Sequence, residues 1–118
     1  MPQGGRTARV GEEFREILAE EILKLKDPRV GFVTVTGVKV TPDLRRAHVY
    51  YTCYGDEKAK AGTRAALRSA SAHLRGVIGR QVRLKFLPQL EFEEDATFEE
   101  AMRIDELIAR LHEQGSAE

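Results

Sequence analysis

The stretch FVTVTGVKVTPDLRRAHVYYTCY, residues 32–54, decides the fold. Its first part, Phe32 to Val40, is rich in β-branched residues and reads as a strand. Val33 and Val35 share one face, but Val38 and Val40 have the opposite parity. The phase slips at Gly37, which predicts a β-bulge there. TPDLRR is a turn. In AHVYYTC, Ala47, Val49 and Tyr51 alternate against His48, Tyr50 and Thr52, so a second strand follows and the two form a hairpin. A half-buried hairpin needs a helical layer to cover its apolar face.

That cover is written on both sides of the hairpin. Upstream, Val10, Phe14, Ile17, Leu18, Ile22 and Leu25 recur at helical spacing between charged residues, an amphipathic helix ended by KDPRVG. Residues 1–8 read as a loose arm. Downstream, Leu67, Ala70, Leu74, Val77 and Ile78 form the apolar face of a further helix. The small residues Ser69 to Ala72 favour a break or kink, and Gly79 reads as a left-handed cap. A third strand is expected from Val82, with Leu84, Phe86, Leu90 and Phe92 in one parity and Arg83 and Lys85 in the other. Thr97 and Glu100 fit a capping box for a last, acidic helix. The reading is thus a 9–95 α+β domain: a three-stranded sheet covered on one face by helices, followed by an acidic segment, 96–118. A right-handed crossover would join the second strand to the third.

The formal net charge is zero, from 19 basic and 19 acidic residues. The total conceals an asymmetry. Residues 1–90 carry 17 basic and 9 acidic groups; residues 91–118 carry 2 basic and 10 acidic. From Lys58 to Leu90 there is no acid at all. Soluble surfaces normally intersperse both signs, so this run points to a polyanion-facing surface. Lys60, Arg64, Arg68 and Arg75 fall within about 80° of one another on the helix. Arg80, Arg83 and Lys85 extend the run, and Arg45 and Arg46 add two cations in the hairpin turn.

Catalytic and metal chemistry find little support. His48, His73 and His112 are scattered and lack metal-ligand spacing. Cys53 ends a strand, where a small core-filling thiol is the simpler reading, and it has no second cysteine to pair with. Phosphate-binding glycine motifs are missing. Gly76-Val77-Ile78-Gly79 spells the G-x-x-G of KH domains, but too few residues follow for the second helix that such a loop requires. No apolar run approaches the roughly 18 residues of a membrane span, and the start has no apolar signal core, so a cytoplasmic setting is expected.

DPRVGFVTVTGVKVTPDLRRAHVYYT (27–52) resembles the signature of the bacterial ribosome-binding factor A family. RVGEEFREILAEEILKLK (9–26) and LRGVIGRQVRLKFLPQLEFEED (74–95) are similar to the family's flanking elements. The resemblance covers Val10 to Asp95. It implies a type II KH-like fold, helix-β-β-helix-kink-helix-β, with the kink at Ala70-Ser71-Ala72; Ala72 stands where the family usually has Gly. It implies a non-catalytic, cofactor-free monomer that binds the free small ribosomal subunit, meaning 16S rRNA with or without adjacent ribosomal proteins. Such a factor assists late maturation and rRNA processing, is needed most in the cold, and leaves with help from a ribosome-dependent GTPase. The RNA-facing residues are then Arg45, Arg46, Arg64, Arg68, Arg75, Arg80, Arg83 and Lys85. Rival readings are a general KH-type binder of single-stranded RNA, an acylphosphatase-like enzyme (disfavoured by a chain without Asn), and a protein adaptor using the acidic helix.

Overall fold

A computed structural model describes residues 5–95. Their order is α1 (Gly5–Leu23), β1 (Val33–Val40), β2 (Arg46–Cys53), α2 (Glu57–Gln81) and β3 (Gln89–Glu94). The sheet order is β1-β2-β3, with β1 antiparallel and β3 parallel to the central β2. A parallel neighbour requires a crossover, and α2 supplies it.

The expected bulge is present: Val35 pairs with Tyr51 and Gly37 with Tyr50, so Thr36 is the extra residue. It resets the parity, and Val35 and Val40 therefore both face the core beside Ala47, Val49 and Tyr51. Phe14, Leu18 and Ile22 of α1 and Leu67, Leu74 and Ile78 of α2 close that core from one side. Gly11 allows α1 its close approach, because a Cβ there would lie 2.6 Å from the Val38 carbonyl oxygen. The other sheet face, carrying Thr34, His48 and Glu93, has no helix over it among the described residues.

Four expectations are corrected. Helix α1 begins at Gly5, so the arm drawn at 1–8 loses residues 5–8 to the helix. The two helices expected around Ala70-Ser71-Ala72 are one unbroken helix of 25 residues. Ala72 lacks the backbone freedom of Gly, and alanine is the best helix former. Gly79 is no left-handed cap: α2 runs on to Gln81 and closes at Val82, whose extended backbone keeps its N–H on the Ile78 carbonyl at 2.8 Å. Gly79 instead admits Leu87, whose Cδ1 would sit 3.0 Å from a Cβ at that position.

The last correction moves the third strand. It begins at Gln89, and residues 82–88 form a loop. At about 1.5 Å per residue α2 is roughly 37 Å long, whereas eight residues of β2 span about 26 Å. The helix overshoots the start of β2, and the chain uses Val82 to Pro88 to return to the sheet beside Arg46. Arg83 and Lys85 consequently ride on a loop. The acidic helix expected at 96–118 lies outside the described residues.

Candidate nucleic-acid interface

The hairpin turn is built first. Asp43 accepts a hydrogen bond from the Thr41 hydroxyl at 2.7 Å and another from the Arg45 N–H at 3.1 Å. Those donors, the hydroxyl foremost, hold its carboxyl below the usual carboxylate range. Leu44 takes a left-handed conformation, φ 61°, to complete the turn. The Arg45 carbonyl then accepts the Gln89 N–H at 2.8 Å, which fixes the start of β3 against the turn.

The loop 82–88 packs onto this turn and onto the end of α2. The Arg45 guanidinium lies over the Phe86 ring, 4.5 Å from its centroid, and the Lys85 ammonium is 5.7 Å from the same centroid. Leu87 rests on Gly79. Arg75 ties the loop down from the helix, its Nε and one terminal nitrogen each donating at 3.0 Å, to the Pro88 and Leu87 carbonyls. Arg80 and Arg83 bracket the helix C-terminus, where the dipole favours positive charge.

The eight expected cations therefore fall into distinct settings. Arg45, Arg80, Arg83 and Lys85 gather at one end of the molecule. Arg64 and Arg68 lie along the side of α2 that faces β3; Arg64 is 3.8 Å from Glu94, and Arg68 lines a groove with Ser71, Phe92 and Glu93. Arg75 is a half-buried strut rather than an exposed charge. Arg46 is ion-paired at 2.6 Å to Glu91 on the open sheet face. Among the described residues, Arg45, Arg68, Arg80, Arg83 and Lys85 have no carboxylate within ion-pair distance.

Two features were not read from the sequence. The sequence pattern puts Phe86 on the third strand; in the structure the residue is 47% exposed, and its ring sits beside Arg45 and Lys85. The parallel pairing of His48 with Glu91 also brings together His48, Glu91 and Glu93, whose ligand atoms lie within 4.8 Å of one another. Arg46 is already ion-paired to Glu91, and His48 Nδ1 is in hydrogen-bond contact with Glu93 at 2.8 Å, so these side chains partner one another. His48 lies 43 residues before Glu91 and 45 before Glu93, and spacing carries no trace of the group.

The fold defines a KH-like α+β domain with a cationic end. The model of the family "Ribosome-binding factor A" matches residues 6–108. A ribosome-binding factor A of Geobacter sulfurreducens is 47% identical over 113 residues, covering 94% of this chain and 96% of the relative. The crystal structure of ribosome-binding factor A from Thermus thermophilus superposes with a TM-score of 0.67 at 34% identity, covering 75% of this chain and 94% of that one. A homology model of the Thermus factor, fitted into a cryo-EM map of a 30S complex, aligns with a TM-score of 0.60 at 35% identity, covering 70% and 88% of the two chains. This chain belongs to the ribosome-binding factor A family.

Proposed function

We propose that this protein binds the small ribosomal subunit through its 16S rRNA and assists late maturation of that subunit without catalysing a reaction. The observation that carries the reading is the cationic end: Arg45, Arg80, Arg83 and Lys85, unopposed by carboxylates among the described residues, on a fold shared with a factor fitted into a 30S complex. Arg64 and Arg68 extend the contact along α2. If roughly five phosphates are neutralised, affinity falls with salt at a log–log slope of about −3 to −5.

The mode of action is thermodynamic. A binder that prefers one rRNA conformation shifts the population toward it by its differential affinity. RNA misfolds persist longer in the cold, which places the greatest need there. The protein acts as a cytoplasmic monomer without a cofactor, and a ribosome-dependent GTPase drives its release. The family resemblance supports these finer points. The acidic segment 96–118 competes with RNA for the cationic end, so its removal raises affinity for bulk RNA.

Cosedimentation with small subunits, large subunits and whole ribosomes at several salt concentrations tests the reading. Selective, salt-sensitive binding to small subunits is expected. Equal affinity for immature and mature small subunits would remove the maturation role. The rival of a G-x-x-G-type single-strand binder is disfavoured, because Gly76 and Gly79 both lie inside α2.

A further inference from the structure

We propose that Phe86 and Arg45 form a stacking platform for an unpaired RNA base, so that the cationic end grips one flipped or single-stranded nucleotide as well as phosphates. The proposal deepens the reading above and rests on it.

Three observations lead there. First, Phe86 is 47% exposed although the core is near, while Val82 and Leu84 of the same loop pack against that core. Second, the ring is supported. Arg75 holds the Leu87 and Pro88 carbonyls, Leu87 sits on Gly79, and Gln89 is bonded to the Arg45 carbonyl. A ring fixed in this way loses little freedom when a ligand covers it. Third, the ring lies among cations, with the Arg45 guanidinium 4.5 Å and the Lys85 ammonium 5.7 Å from its centroid. Nucleobases stack on aromatic rings and on guanidinium planes, and the phosphates beside a stacked base need positive charge. A base with its phosphates meets both demands here. An anionic lipid surface would meet the charge but calls for a larger apolar wedge, and this end exposes only Phe86 and the partly covered Leu87 among the large hydrophobics of the loop.

The test uses the full chain, an RNA duplex, and the same duplex with an unpaired purine overhang. The wild type should bind the overhang form more tightly, by about five-fold or more, the scale of one base–aromatic stack. Phe86→Ala should abolish that preference while leaving duplex affinity and the salt slope unchanged, and Phe86→Tyr should retain it. Phe86 is half-exposed, and unchanged thermal unfolding of the variants confirms that they fold. Absence of an overhang preference in the wild type, or its survival in Phe86→Ala, would overturn the proposal. So would Phe86-dependent binding confined to phosphatidylglycerol vesicles. Small-subunit cosedimentation is scored in parallel. If it persists while the overhang preference is absent, stacking fails and the proposed function stands; if cosedimentation itself is absent, the proposed function fails.

Discussion

Arg75 and Arg83 are the same residue type in the same acid-free run, yet the structure gives them opposite surroundings. Arg75 spends two N–H donors on the Leu87 and Pro88 carbonyls. Arg75→Leu should therefore destabilise the fold by about 1–3 kcal/mol, the scale for hydrogen bonds from a charged donor. Urea unfolding measures this. Arg83 is exposed and without a carboxylate partner among the described residues. Arg83→Gln should leave the unfolding midpoint in place and lower the magnitude of the RNA-binding salt slope by about 1. A midpoint shift for Arg83→Gln as large as for Arg75→Leu would contradict the division. A pH effect sits at this scale too. The Arg29 guanidinium and its backbone N–H hold Asp27 down to about 2. Because its folded pKa is depressed, Asp27 contributes stability above the ordinary carboxylate range and loses it as pH falls through about 2. An NMR titration of the Asp27 carboxyl should show a midpoint near that value, and Arg29→Gln should raise it.

Helices and strands make sharper demands than single charges. Gly11 and Gly76 both lie in helices, where alanine gains up to about 1 kcal/mol in propensity. At Gly11 a Cβ meets the Val38 carbonyl oxygen at 2.6 Å, and a backbone atom of the sheet cannot move aside. Overpacking of about 1–3 kcal/mol wins, so Gly11→Ala should be destabilised. At Gly76 the nearest atom is a terminal nitrogen of the flexible Arg80 at 3.6 Å, and Gly76→Ala should gain stability by about 0.5–1 kcal/mol. Thermal unfolding of the two variants, with shifts of opposite sign, is the check. The bulge at Thr36 was legible because a slip in period-2 parity is local to the strand. The true start of β3 was not. Val82, Leu84, Phe86, Leu90 and Phe92 keep one parity across Pro88, and parity cannot reveal how far α2 overshoots the sheet.

At the scale of the whole molecule, the acid-free run does not form one uniform face. Parallel pairing sets β3, with Glu91, Glu93 and Glu94, beside β2 and along the Arg64 side of α2. Arg46 and Arg64 meet these carboxylates, while the far end of α2, its loop and the hairpin turn stay positive. Neutralising Arg45, Arg80 and Lys85 together should reduce the magnitude of the salt slope by about 3, whereas the Arg46→Gln change should reduce it by less than 1. Filter binding to small-subunit RNA over a salt series distinguishes the two. Local order on this chain determined the helical stripes, the hairpin, the bulge and the segregation of charge, because each depends on neighbours a few residues apart. Tertiary structure alone decided that Arg75 is a strut, that Arg46 is paired, and that Phe86 is set among cations. Those outcomes depend on contacts between segments brought together by the crossover, and sequence separation holds no record of them.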